Sequence, residues 1–253
     1  MTLFLKLLNL FFFIGTLAVN YITIKGYKQF KPIVNISNEF QTSLTPPNWA
    51  FSIWAFIYTG ILLFVISQFF PLFNKYIKKI SCPFILSCIF NSAWLLVFSK
   101  GGKIEILFSV IIILFLLMSL FTMQTKIQFF QNKNVSKILF IDIPFSLYLG
   151  WVINAFFINL GTCIKAYNIN YYDYLLFIIS VCFISIIHYF NLFYYDNYVT
   201  ILVYFFTCIS YLIKFYNTNM LLFNCSIITT SIGVLFLILK IIKDCCERRK
   251  ERR

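Results

Sequence analysis

Eight long runs of mostly apolar residues divide this chain and limit what it can fold into. A helix needs about 20 such residues to cross a membrane. Hydrophobic residues make up 61% of the 253-residue chain and charged residues only 11%, so a soluble domain could not bury the apolar surface. We therefore predict an all-α, polytopic membrane helix bundle. The predicted spans cover residues 3–24, 48–70, 80–98, 104–124, 139–162, 173–193, 198–216 and 219–242.

The first run also has features of a signal peptide, because Lys6 precedes an apolar stretch. That stretch continues to Ile24, which makes it longer than the apolar region of a usual signal peptide, and no small-x-small cleavage site follows it. We therefore expect a retained first helix.

The distribution of positive charge predicts the orientation of the bundle. With an even number of spans both termini lie on one face, which carries 14 of the 21 Lys and Arg residues, whereas the other face carries 7. The positive-inside rule then places both termini in the cytoplasm, without indicating which membrane the chain enters. Because the basic residues are scattered and accompany no recognition motif, nucleic acid is not an expected partner. The 14 residues are Lys6, Lys75, Lys78, Lys79, Lys126, Lys133, Lys137, Lys240, Lys243, Arg248, Arg249, Lys250, Arg252 and Arg253.

Two of the eight cysteines, Cys245 and Cys246, differ from the others in position. They follow the last span and lead directly into the basic tail "ERRKERR". Such cysteines are candidates for palmitoylation beside a tail that is attracted to anionic lipid, although a solvated tail that only fixes topology explains them equally well. The other six are scattered singly, and there is no CxxC or His/Cys cluster, so no metal site is expected.

The chain carries no recognisable catalytic motif. It has no GxSxG, no glycine-rich phosphate loop and no pair of carboxylates within the membrane. The single histidine, His188, is a functional candidate because of its depth in the sixth span, but a neutral histidine bonded to a neighbouring helix is the favoured interpretation. Asp142 lies at the start of the fifth span, where we expect it at the membrane surface. We predict that the protein is not an enzyme.

Three of the predicted spans carry a stripe that combines an aromatic ring with a polar group. Residues three or four apart share one face of a helix. The stripes are Trp54 and Tyr58 in the second span, Ser87, Asn91 and Trp94 in the third, and Tyr148, Trp151, Ala155 and Asn159 in the fifth. Before the second span, Pro46 and Pro47 prevent helix formation and stiffen the backbone, and Asn48 is a suitable N-cap.

These stripes have two explanations. Trp and Tyr commonly form a belt at the membrane surface, which suits Trp49. Trp94 and Trp151 lie deeper in their spans, each with an Asn on the same face, and amides in lipid usually turn inward to bond across helices. Stacked rings with a few polar groups also form pockets for flat apolar ligands. Spacing alone therefore leaves helix packing and a ligand pocket equally open.

Three segments, "PPNWAFSIWAFIYTG", "FNSAW" and "YLGWVINAFFIN", resemble the TspO/MBR family of tryptophan-rich sensory proteins and translocator (peripheral benzodiazepine receptor) proteins. That family carries P-P-x-W-x-x-x-x-W-x-x-x-Y after its first helix, N-x-A-W in its third, and Y-L-x-W followed eight residues later by Asn in its fifth. All three occur here in order, within residues 1–165. Ser92 stands where many members have a second Trp. Leu147 stands where many have Pro, and Pro144 lies three residues earlier.

The resemblance implies a five-helix core over residues 1–165 and a three-helix extension with a basic cytoplasmic tail over residues 166–253. It also implies a cavity in the core that binds tetrapyrroles such as porphyrins and haem, and sterols in some members. The residues that match family positions around that cavity are Trp54, Tyr58, Asn91, Trp94 and Trp151, and Tyr148 and Asn159 share their stripes. We expect Pro46, Pro47 and Trp49 to form a loop over the cavity.

The expected function is binding of a flat hydrophobic ligand, a tetrapyrrole or a sterol-like molecule, for sensing or translocation. The expected partners are the lipid bilayer and that ligand; no cofactor is required, and a homodimer is left open. The main alternative is a transporter of a small solute or lipid that uses the C-terminal helices, although these show no convincing repeat. A protein that docks others through its basic tail is a third interpretation.

Overall fold

The computed structural model of the chain describes residues 2–130, 134–170 and 172–251. In that part the chain forms helices and no strands, which confirms the predicted all-α bundle. The α-helices of the described residues are α1 (Thr2–Ile24), α2 (Ile33–Glu39), α3 (Ile53–Ser67), α4 (Asn74–Phe98), α5 (Lys103–Ile127), α6 (Val135–Lys137), α7 (Ile143–Ala166), α8 (Asp173–Tyr195), α9 (Tyr198–Phe215) and α10 (Met220–Glu251). Tight helical turns lie at Asn48–Ser52 and Pro71–Phe73, and one wide turn, Ile138–Asp142, joins α6 to α7.

Eight helical segments within the described residues are long and apolar enough to cross a membrane, as predicted. Some helices extend beyond the apolar runs, since α4 already begins at Asn74 and α10 continues to Glu251. Hydropathy marks the part of a helix that lipid covers, whereas Lys, Arg and Glu continue the same helix into water because they are good helix formers. The eight segments are Thr2–Ile24, Asn48–Ser67, Pro71–Phe98, Lys103–Ile127, Val135–Ala166, Asp173–Tyr195, Tyr198–Phe215 and Met220–Glu247.

The central helix of the bundle is α7. It packs against α3, α5, α8 and α9, and most of its residues are buried. On the side of the first spans, α4 packs against both α1 and α5; among the last three, α10 packs against α8 and α9. Because α7 belongs to the first five spans and contacts two of the last three, it joins the two predicted parts of the chain. The division at residue 165 stays a prediction.

Two glycines let neighbouring helices approach α7 closely. A Cβ on Gly60 of α3 would lie 3.2 Å from Cβ of Pro144, and a Cβ on Gly150 of α7 would lie 2.9 Å from Cβ of Val203 on α9. Small residues at helix contacts are characteristic of bundles in lipid, where association depends on close packing. Pro144, which departs from the family spacing, thus forms part of the contact between α3 and α7.

A buried ion pair lies where the fifth span begins. Lys137 Nζ is 2.8 Å from both carboxylate oxygens of Asp142, and the two side chains are 1% and 0% exposed. The backbone N–H of Phe130 donates to the same carboxylate at 3.0 Å. Asp142 is therefore buried beside Lys137, which neutralises it across the wide turn, and it directly precedes α7. Its position at the membrane surface stays a prediction.

Several charges that predict the orientation are held inside the bundle. Besides Lys137, Lys240 of α10 pairs with Asp196 and Asp244 and is only 4% exposed. Lys133, Arg252 and Arg253 lie outside the described residues. If all eight candidate spans of the described residues cross the membrane, both ends lie on one face. That this face is the cytoplasmic one stays a prediction.

Candidate functional site

The second span begins with a rigid turn. Pro47 has an extended backbone, with φ −57° and ψ 151°, and the tight turn Asn48–Ser52 follows it before α3 begins at Ile53. Asn48 is therefore the first residue of this turn and not, as predicted, the N-cap of the span helix. Because the prolines hold the chain extended up to the turn, Pro47 is the residue at the cap, and its carbonyl accepts from Ala50 N at 2.9 Å.

Trp54 is the centre of a cluster of aromatic rings. It stacks on Tyr58 in its own helix, with centroids 5.6 Å apart, and on Trp94 of α4 at 6.0 Å. Tyr148 and Trp151 of α7 meet it edge to face at 6.0 and 6.5 Å. Each such ring pair contributes about 0.5–1.5 kcal/mol beyond the burial of its area. The three predicted stripes thus face one another.

Asn159 connects α7 to two other helices. Trp94 Nε1 donates to Asn159 Oδ1 at 3.1 Å, and Asn159 Nδ2 donates to Ser109 Oγ of α5 at 2.9 Å. All three side chains are buried, with exposed fractions of 4% or less. Trp94 and Asn159 were both predicted site residues, whereas Ser109 was not, because it is one of three hydroxyl residues in its apolar span and nothing local distinguishes it.

Asn91 and Tyr58 form a second polar contact beside the rings. Tyr58 Oη donates to Asn91 Oδ1 at 3.1 Å and accepts from Asn20 Nδ2 of α1 at 2.9 Å. This contact therefore ties α1, α3 and α4 together. Asn20 is absent from the predicted site, although an amide inside the first span is a signal of the same kind as Asn91.

A small cavity lies where the rings meet. Its volume is about 20 Å³, enough for about one water molecule. Four of the predicted ligand residues line it, whereas Tyr58, Asn91 and Tyr148 lie behind that wall. Among the described residues, the lining side chains carry no charge. They are Ile33, Ser37, Phe51, Trp54, Trp94, Phe98, Trp151, Ala155, Ile158 and Asn159.

Part of the cavity wall comes from α2, a short helix in the segment 25–47, which was predicted to be a loop between the first two spans. Ile33 and Ser37 of α2 line the cavity, and Ile36 between them is fully buried. Ile36 rests on Gly101, where an added Cβ would lie 2.6 Å from Ile36 Cδ1. The helix α2 is difficult to predict from the sequence, because it has only seven residues and follows Pro32.

Pro46, Pro47 and Trp49, the predicted loop over the cavity, are absent from its lining. Trp49 is 43% exposed and packs edge to face against Phe206 of α9, with centroids 5.5 Å apart. The two prolines lead into the turn Asn48–Ser52, which contains Trp49 and also Phe51, a residue that does line the cavity.

His188 lies apart from this site, on α8. It is fully buried, and its Nε2 lies 3.3 Å from Asn154 Nδ2 of α7, so the predicted bond to a neighbouring helix is present. Asn191, one turn further on, joins a separate contact in which Gln124 Nε2 donates to it at 2.6 Å. Both contacts link helices rather than line the cavity.

Cys245 and Cys246 lie on the polar end of α10. Both are exposed, directly after Asp244, whose carboxylate pairs with Lys240. Their exposure permits modification, and palmitoylation there stays a prediction.

The comparison with known families matches nearly the whole chain. The sequence profile described as TSPO-like protein matches residues 6–242, which include the last three helices as well as the first five. The chain matches neither a curated protein nor a solved structure. The match agrees with the assignment from the three aromatic motifs, and the chain belongs to the TSPO-like protein family.

Proposed function

We propose that this protein is a membrane binding protein, not an enzyme, which takes up a flat, largely apolar ligand between α3, α4 and α7 for sensing or translocation. A tetrapyrrole such as a porphyrin is the leading candidate ligand and a sterol-like molecule the next. The observation that carries the proposal is the convergence of Trp54, Trp94 and Trp151 on one small cavity. Indole faces in a dry cavity favour the stacking of a flat ring system.

The polar groups of the cavity narrow the chemistry of the ligand. Trp151 Nε1 is buried and has no hydrogen-bond partner among the described residues. An unpaired buried donor costs about 1–3 kcal/mol, which an acceptor on the ligand would recover. Since the lining side chains carry no charge, ionised groups of a ligand, such as the carboxylates of a porphyrin, would remain outside the cavity near α2.

Ligand binding requires the cavity to open. Pockets for drug-sized ligands measure about 300–1,000 Å³, whereas here the aromatic side chains leave about 20 Å³. Most of the wall belongs to long spans, but Ile33, Ser37 and Phe51 belong to the seven-residue α2 and the five-residue turn after it. Short elements open at a lower free energy than packed spans. We therefore expect the ligand to enter by displacing α2 and this turn, which we call the lid.

Titration of the purified protein with protoporphyrin, followed by quenching of Trp fluorescence, tests this function. We expect saturable quenching that Trp54→Ala and Trp94→Ala each weaken roughly thirtyfold, since truncation of an aromatic anchor costs about 2 kcal/mol or more. Phe11→Ala is the control, because that ring is 70% exposed on α1, outside both the cavity and the lid. If the Trp54 and Trp94 variants stay folded and bind as tightly as the unchanged chain, the ring cluster is only helix packing.

A further inference from the structure

The four-residue segment Thr42–Thr45, between α2 and Pro46, is held by side chains of α9. Lys214 Nζ donates to the carbonyl oxygens of Thr42, Ser43 and Thr45 at 2.9, 3.1 and 2.7 Å. Tyr211 Oη donates to the remaining carbonyl, that of Leu44, at 2.8 Å. Four consecutive backbone carbonyls thus each accept a hydrogen bond from one helix. We call residues 42–45 the clamped loop.

The helix α8 holds the same loop through the backbone N–H and the hydroxyl of Ser43. The carboxylate of Asp173, the first residue of α8, accepts from Ser43 N at 3.0 and 3.1 Å and from Ser43 Oγ at 2.5 Å. The side chain of Leu44 is fully buried in a cluster that α8, α9 and α10 provide. Its other members are Phe177, Val181, Tyr211, Phe215 and Leu222.

The contacts of Lys214 suit an ammonium group. An ammonium group has three N–H donors and no acceptor, and here three carbonyls take them. A charge at the end of a span needs polar partners in place of water, and unpaired backbone carbonyls in a buried loop are also unfavourable. The ammonium group and the carbonyls therefore satisfy one another, and each of the four carbonyls of the loop accepts a hydrogen bond from α9.

The clamped loop lies between the two halves of the lid. On its N-terminal side, two residues separate it from α2, which places Ile33 and Ser37 in the cavity wall. On its C-terminal side, two prolines separate it from the turn Asn48–Ser52, which places Phe51 there. A shift of the loop therefore moves both halves of the lid, because neither linker is long enough to absorb it.

We propose that Asp173, Tyr211 and Lys214 are positioning residues that keep the lid of the aromatic cavity closed. On this inference the last three helices control access to a cavity formed entirely by α2 and the first five spans. The inference goes beyond the proposed function, since it concerns the position of the lid and does not depend on which ligand the cavity takes.

Chemical labelling at Ser37 tests the inference without any ligand. Ser37 is 1% exposed and lines the cavity, so a Ser37→Cys side chain can react with a water-soluble maleimide only when the lid opens. We expect Lys214→Met, which keeps an apolar chain of similar length, to raise the labelling rate at that position by about tenfold or more, as the loss of hydrogen bonds to a charged group implies. Mass spectrometry of the peptide that contains residue 37 measures the rate in the full chain.

The matched control is Lys165→Met, which removes an exposed lysine at the end of α7. We expect it to leave the labelling rate unchanged. Tyr211→Phe removes a single donor and retains the ring, and we expect a smaller rise from it; it also serves if Lys214→Met fails to fold. Rates that stay at the level of the unchanged chain in folded variants of both Lys214 and Tyr211 would overturn the inference, whatever the result of the porphyrin titration.

Discussion

Trp94 on α4 donates its indole N–H to the side-chain oxygen of Asn159 on α7 across 3.1 Å, and both side chains are buried. One amide thereby fixes the ring that Trp54 stacks on and holds two spans together in the cavity wall. In lipid, water cannot replace a lost partner inside the bundle, so this contact contributes to stability as well as to the shape of the site.

Asn159→Leu should lower the stability of the folded protein in detergent. The substitution leaves the buried N–H of Trp94 without its acceptor, which costs about 1–3 kcal/mol. Thermal unfolding of purified protein measures the loss. Trp94→Phe removes the donor instead, and the double variant should be less destabilised than the sum of the two single variants by about 0.6 kcal/mol, the usual size of such couplings in membrane bundles. Strict additivity would contradict the contact.

Asp142→Asn should destabilise the bundle more strongly than any surface substitution. Lys137 would remain buried without a counter-charge, and breaking a buried ion pair costs about 3–5 kcal/mol. The double variant Lys137→Met, Asp142→Leu should recover most of the loss, because it removes both charges. Denaturant unfolding in mixed micelles gives the comparison.

The pair of Lys31 and Glu39 provides the control for this prediction. The side chains are 51% and 47% exposed and the ions 2.8 Å apart. Lys31→Met should therefore change stability by about 1 kcal/mol or less. Equal effects at the buried and the exposed pair would show that Lys137 and Asp142 are hydrated in the folded protein.

The parts of the fold that follow from local pattern were predictable from the sequence. A membrane span is defined by a continuous apolar run, so the eight spans could be predicted from the sequence. Residues four apart lie on the same face of a helix, so the spacing also predicted which residues share a helix face with Trp54, Trp94 and Trp151. The clustering of these rings on one site also required knowing which spans are neighbours, which the family motifs supplied.

The remaining parts depend on contacts between distant residues or on very short elements. Lys214 lies 172 residues from Thr42, and no local pattern relates a lysine near the end of a span to carbonyls of a loop. The seven residues of α2 are too few to show a helical period. The burial of Asp142 could not be predicted from its own position, because a buried charge requires a partner. That partner is Lys137, five residues earlier.

The orientation of the protein can be tested by labelling from the two sides of the membrane. Asn35 is exposed on α2, and Cys245 and Cys246 are exposed on α10. With both termini in the cytoplasm, an impermeant maleimide should label the two native cysteines from the cytoplasmic side of the membrane and Asn35→Cys only from the opposite side. Labelling of both regions from the same side would contradict a chain of eight spans, and the reversed pattern would contradict the orientation.

Trp151→Phe should separate ligand binding from packing at the cavity. Phe keeps a ring to meet Trp54 edge to face, and it removes an N–H that has no partner among the described residues. The free energy of unfolding should therefore change by about 1 kcal/mol or less, in contrast to Trp94→Phe, which breaks the bond to Asn159. If a ligand acceptor uses the Trp151 N–H, protoporphyrin should bind the Trp151→Phe variant about 5- to 30-fold more weakly, as expected for a lost hydrogen bond of about 1–2 kcal/mol. Fluorescence titration and thermal unfolding of the same samples give both numbers, and a variant with unchanged affinity would show that this donor does not contact the ligand.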